Sequence, residues 1–121
     1  MIKNNTDMKI PTFNDLDFQD HAHVKDGVQA RLNVGRDDAY EFSVVAMKGN
    51  KGLGGLYGDQ SDDTYEVAVF KDDKMLPLGA YDDVLGWQTP TQISLLMRDA
   101  VLNGDAWADL LISMREDADS E

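Results

Sequence analysis

The chain has 121 residues, with 23 acidic against 11 basic side chains and a formal net charge of −12. Most of the excess lies in residues 61–121, which contain fourteen acids and four bases. A surface of this sign excludes binding to nucleic acid by phosphate neutralisation, disfavours anionic membranes and favours a basic partner. The absence of cysteine excludes disulfides, thiol catalysis and cysteine-bound metals.

The length predicts a single domain over residues 1–121, with residues 1–9 and the polar segment 115–121 frayed. No stretch is long and apolar enough for a signal peptide or a membrane span. We therefore expect a cytoplasmic protein.

The N-terminal segment holds a candidate cap and a candidate metal site. "TFND" at Thr12–Asp15 matches a helix capping box, although residues 10–26 fit a short helical turn and an irregular strand equally well. "DHAH" is the best metal candidate, because Asp20, His21 and His23 carry ligand types that zinc and other divalent ions prefer. Since the chain has only two histidines, the remaining ligands would have to be unplaced carboxylates, so we expect no metal and no cofactor.

Alternating apolar residues predict four strands. Val28–Val34 and Tyr40–Ala46 alternate around "GRDD", which is typical of a hairpin. Tyr65–Lys71 is a third run, and "DDK" leads from it into a short strand, Met75–Leu78, that Pro77 places at a sheet edge.

The glycine-rich segment between the second and third strands predicts a mobile loop. "GNKGLGGLYG" lacks both the ending of a phosphate-binding loop and the spacing of a dinucleotide-binding one. Its larger apolar side chains are candidates for contact with a partner, namely Leu53, Leu56 and Tyr57.

The C-terminal third of the chain predicts helical structure. In "TPTQ", Thr89 is the cap, a proline occupies the first turn and Gln92 closes a capping box. Gly104 ends the helix, and Asp105 can cap a second one. The helical side chains expected to be buried are Ile93, Leu96, Met97, Ala100, Val101, Trp107, Leu110, Leu111 and Met114.

These elements predict an α+β domain, in which an antiparallel sheet of about four strands carries one or two C-terminal helices on one face. Leu85 and Trp87 are expected to anchor the helix to the sheet. The strand residues expected in the core are Tyr40, Phe42, Val44, Val67 and Val69.

Four pairs of adjacent aspartates accompany the strands. "DDAYEFSVV" at Asp37–Val45 nearly repeats as "DDTYEVAVF" at Asp62–Phe70, and further pairs lie at residues 72–73 and 82–83. Aspartate favours turns because its short side chain bonds nearby backbone N–H groups. We therefore interpret the pairs as turns and not as repeated carboxylate sites.

Two segments, "YEVAVF" (Tyr65–Phe70) and "YDDVLGWQTPTQISLLM" (Tyr81–Met97), resemble the C-terminal half of small acidic proteins of phages and prophages. No catalytic residue is carried over with this resemblance. It implies a setting in which small acidic proteins block host defence or nucleic-acid enzymes.

We therefore expect a non-enzymatic binding protein of a phage or mobile element, which occupies a basic surface on a host nucleic-acid-binding or defence protein and partly mimics DNA. Two alternatives remain: an assembly protein whose charge serves solubility, and a metal-dependent enzyme using the two histidines. The acids expected to contact the partner are Asp82, Asp83, Asp99, Asp105 and Asp109.

Overall fold

The computed structural model describes residues 10–49, 55–79 and 82–119, which form a six-stranded antiparallel sheet and one long helix. The strands are β1 (Gln19–Asp20), β2 (Gly27–Val34), β3 (Tyr40–Met47), β4 (Tyr65–Lys71), β5 (Lys74–Met75) and β6 (Leu85–Gln88). The helix α1 spans Pro90–Asp119. The predicted α+β class is confirmed, and the described sheet has six strands where the sequence predicted about four.

The sheet grows from the hairpin of β2 and β3, whose register runs from Val34 opposite Tyr40 to Gly27 opposite Met47. β4 pairs with the far edge of β3, and β1 pairs with two residues of β2. β5 and β6 share the remaining edge of β4: β5 pairs with its last two residues and β6 with its beginning.

The prediction missed β1 and β6 and extended β5 too far. A two-residue strand has no period to detect, and β6 contains an irregularity that is described below. β5 ends at Met75, because Pro77 has no N–H with which to continue the ladder. Leu76 still donates its N–H to the carbonyl of Val69 at 2.8 Å, and its side chain is buried.

The core lies between the sheet and α1. Strand residues of one parity face the helix, and Phe42, Val44, Val67 and Val69 among them are fully buried. Burying each such side chain contributes about 1.5–3 kcal/mol through the hydrophobic effect. The helix residues of the same cluster are Ile93, Met97, Ala100, Val101, Trp107 and Ala108.

The helix begins as predicted, and its helical geometry is interrupted at Gly104, where the sequence predicted the end of one helix and the start of a second. Thr89 and Gln92 form a reciprocal capping box, with N···O distances of 2.9 and 3.2 Å. At Gly104 the backbone leaves helical geometry (φ 44°, ψ −120°) and then resumes it. Within the described residues, no helix combines the length and the apolarity that crossing a bilayer demands.

Several side chains expected in the core are exposed. Trp87 is 51% exposed and does not anchor the helix, whereas the buried indole is that of Trp107, at 8%. Leu110 and Met114 are also exposed, because Trp107, Ala108 and Leu111 supply the inward stripe of that part of α1. Leu85, Leu96 and Leu111 are partly buried against the core.

The aspartate pairs lie at turns, as predicted. Asp72 and Asp73 form a two-residue connection between β4 and β5 with φ of 53° and 64°, which matches a type I′ hairpin turn. Asp37, Asp38 and Asp63 also adopt positive φ, in the turns that precede β3 and β4. The fourth pair closes a turn. The carbonyl of Asp82 accepts the N–H of Gly79, and the carbonyl of Asp83 accepts the N–H of Leu78.

The N-terminal segment is tied to both layers. Thr12 and Asp15 form the predicted capping box, around a single 3-10 turn. The N–H of Phe13 donates to the hydroxyl of Ser94 on α1 at 2.9 Å. Residues 1–9, predicted to fray, lie outside the described residues. α1 continues to Asp119, and the fraying of residues 115–121 stays a prediction.

Candidate functional site

The five acids predicted to contact a partner belong to two elements. Asp82 and Asp83 lie in the link that leads to β6, while Asp99, Asp105 and Asp109 lie on α1, on either side of its kink. Asp99 is half-buried and the other four are exposed. The C-terminal half therefore presents at least four of these carboxylates to solvent.

Asp83 forms an ion pair within the chain. Its carboxylate pairs with Nη1 of Arg115 at 3.0 Å, while Nη2 of the same guanidinium donates to the carbonyl of Gly79 at 2.8 Å. The forked guanidinium thereby joins the C-terminal part of α1 to the link before β6. Asp83 is consequently less available to a partner than its neighbour Asp82.

Asp105 is also engaged within the chain. Its Oδ1 accepts hydrogen bonds from the hydroxyl of Tyr40, at 2.5 Å, and from Nζ of Lys71. Burial, and then the hydrogen bond to Asp105, raise the pKa of Tyr40 to about 12. The hydrogen bonds from Lys71 and Tyr40 lower the pKa of Asp105. The two hydrogen bonds to Asp105 tie α1 to the first residue of β3 and the last residue of β4.

Among the described residues, the exposed Phe, Tyr and Trp side chains are Tyr57 and Trp87, which we call the aromatic pair. Tyr57 is 53% exposed and Trp87 is 51% exposed, and their ring centroids are 6.4 Å apart. The N–H of Trp87 donates to the carbonyl of Tyr57 at 2.7 Å, and the N–H of Tyr57 donates to Oε1 of Glu66 at 2.9 Å. These hydrogen bonds join the backbones of Tyr57 and Trp87 and hold the Glu66 carboxylate against the backbone N–H of Tyr57.

A β-bulge places Trp87 on the surface. β6 uses four residues, from Leu85 to Gln88, to span three residues of β4, from Val67 to Tyr65. Such an extra residue breaks the alternation of side chains, and Trp87 carries the resulting positive φ of 57°. A bulky residue in the left-handed region is strained, and strain of this kind concentrates at functional positions.

The sequence contained one signal for this bulge. Glycine inside a strand often marks a bulge or a close backbone approach, and Gly86 precedes Trp87. A Cβ at Gly86 would lie 2.6 Å from the Cβ of Tyr57, so the aromatic pair needs glycine there. The sequence analysis instead expected Leu85 and Trp87 to anchor the helix to the sheet, and Glu66 was not among the predicted contact residues.

Two of the three loop residues predicted to contact a partner are described. Tyr57 belongs to the aromatic pair, and Leu56 is half-buried beside it in the chain. Leu53 lies outside the described residues.

The candidate metal ligands have other roles in the structure. Nδ1 of His21 accepts the N–H groups of His23 and Val24, at 3.0 and 3.1 Å, which closes a turn after β1. Asp20 pairs with Lys48 at 2.7 Å. Across residues 10–49, 55–79 and 82–119, no group of three or more histidines and carboxylates has an arrangement that could hold a metal ion.

Comparison of the chain with protein-family models, with curated proteins and with solved structures found no match.

Proposed function

We propose that this protein is a non-enzymatic binding protein that occupies a basic surface on a nucleic-acid-binding or defence protein of a host cell. The observation that carries the proposal is the exposure of carboxylates in the half of the chain with the largest charge excess, at Asp82 and Asp109. Carboxylates spread over a folded surface attract the Lys and Arg side chains that otherwise contact phosphates.

The phage or mobile-element setting belongs to the same proposal. Its support is the resemblance of Tyr65–Phe70 and Tyr81–Met97 to small acidic phage proteins. In that setting the protein acts as a partial DNA mimic, and it binds no nucleic acid itself because its charge has the sign of the phosphates.

The test compares two triple variants of equal charge. In the first variant, Asp82, Asp99 and Asp109 become Asn. Asp83 and Asp105 are left unchanged, because each forms an ion pair within the chain whose loss would disturb the fold. In the control, Asp37, Asp72 and Asp73 become Asn; asparagine tolerates the positive φ of these turn positions. Both variants change the net charge from −12 to about −9.

The measurement is retention of host nucleic-acid-binding proteins from a lysate on immobilised protein, followed by elution with duplex DNA and kinetics on the retained partner. We expect the first variant to slow association more than it speeds dissociation, and the control to resemble the wild type. Association should also weaken as salt shortens the Debye length from about 10 Å at 0.1 M to about 3 Å at 1 M. If retention does not change with added DNA, with salt or in either variant, the proposal is wrong, and the alternative of an assembly protein whose charge serves solubility takes its place.

A further inference from the structure

We infer that the aromatic pair and Glu66 form a seat for an arginine side chain of the partner. The inference rests on the proposed function, since it names the kind of residue that a basic surface would insert here. It starts from the geometry described above: two half-exposed aromatic residues joined by one backbone hydrogen bond, and a carboxylate that accepts the backbone N–H of Tyr57.

The chemistry of the seat suits a guanidinium. The planar face of the guanidinium stacks on the exposed faces of Trp87 and Tyr57, which attract cations through the ring quadrupole. Its N–H groups can reach a carboxylate at the same time. Glu66 uses Oε1 for the N–H of Tyr57, and we find no hydrogen bond from the described residues to Oε2. A lysine ammonium, a compact and strongly hydrated charge, gains less from the ring faces.

The backbone indicates that this arrangement is held at a cost. Trp87 stays in the left-handed region although its indole is half exposed, so burial of the ring does not explain the strain. Gly86 leaves room for Tyr57 to approach. Exposed Trp and Tyr are also enriched among the residues that dominate binding energy at protein interfaces. The net charge of −12 favours binding of a cationic side chain over an acidic or neutral one.

The probes are a nine-residue oligo-arginine peptide and an oligo-lysine peptide of the same length. Both are attracted by the overall charge, so the difference between them isolates the seat. We expect the wild type to bind the arginine peptide about fivefold more tightly than the lysine peptide, the range that cation–π contacts at partly exposed sites support. In an NMR titration, the indole N–H signal of Trp87 should move on addition of the arginine peptide, while that of buried Trp107 should not.

Three variants sharpen the test. Trp87→Ala should abolish the arginine preference, because it weakens the binding of the arginine peptide more than that of the lysine peptide. Glu66→Gln should reduce the preference, and its amide oxygen can still accept the N–H of Tyr57. Glu116→Gln removes one exposed charge on α1 and serves as the matched control, which should keep the preference.

Each contrary result has a distinct meaning. Equal, salt-dependent binding of both peptides by the wild type would overturn the seat and leave the proposed function standing. An arginine preference that survives Trp87→Ala would also overturn it. If sedimentation shows a dimer that Trp87→Ala dissociates, the aromatic pair binds a second copy of this chain and the inference is wrong. The seat is supported only by a preference that Trp87→Ala removes and Glu116→Gln retains.

Discussion

The left-handed backbone at Trp87 predicts an inverted preference between alanine and glycine. In a regular strand, glycine is less stable than alanine by roughly 0.5–1 kcal/mol, because the unfolded chain has more freedom to lose. At φ 57° the order should reverse, since any side chain there costs roughly 1–2 kcal/mol that glycine avoids. Trp87→Gly should therefore be more stable than Trp87→Ala by about 0.5–1 kcal/mol.

Comparing the two variants with each other removes the contacts that both of them lose. Each variant gives up the ring contact with Tyr57, so that term cancels in the difference. Arg31 supplies the control, because it is exposed on β2 and has no positive φ. There Arg31→Ala should be more stable than Arg31→Gly by roughly 0.5–1 kcal/mol.

Urea denaturation followed by far-UV circular dichroism measures all four variants. With a slope of about 2 kcal/mol per M, the expected differences shift the midpoint by about 0.3–0.5 M, in opposite directions at the two positions. If alanine is the more stable residue at both positions, Trp87 does not occupy the left-handed region. The bulge in β6 would then be wrong, and with it the reason for the exposure of the indole.

Three further predictions test the core, a turn and a buried hydroxyl. Phe42→Ala should destabilise the protein by about 3–5 kcal/mol in the same urea assay, because the ring is fully buried; a cost below about 1 kcal/mol would contradict the strand register. Replacing Asp72 and Asp73 by Asn-Gly should leave stability equal or higher, since that pair favours the observed I′ turn, and a clear loss would contradict it. Tyr40→Phe should cost roughly 0.5–1.5 kcal/mol through the lost hydrogen bond to Asp105. Because the pKa of Tyr40 is raised to about 12, the stabilisation by its hydroxyl is complete below pH 10 and falls as pH rises towards 12. The stability difference between the wild type and Tyr40→Phe should therefore narrow over that range in urea denaturation.

Periodicity predicted the elements that obey it. β2, β3 and β4 alternate over seven or eight residues, and their buried positions Phe42, Val44 and Val67 matched the prediction. β1 could not be predicted because two residues carry no period. β6 was hidden by its own bulge, which also reversed the expected environment of Trp87.

The candidate contact residues show a different limit. Composition alone singled out the acidic half, but the contacts of Asp83 and Asp105 depend on cations that lie 32 and 34 residues away in the chain. The proximity of Tyr57, Glu66 and Trp87 likewise depends on the path of the chain between β3 and β4. Such long-range pairings have no local pattern that a single sequence could reveal.

Among the described residues, six aspartates adopt positive φ: Asp26, Asp37, Asp38, Asp63, Asp72 and Asp73. Each of these positions requires a residue that tolerates left-handed backbone geometry, and asparagine and glycine tolerate it without carrying a charge. Replacing all six would halve the net charge of −12 and raise the isoelectric point from its value near 4.3, while each turn keeps its torsion angles. The net charge of this protein can therefore be changed one turn at a time while the backbone conformation of each turn is kept.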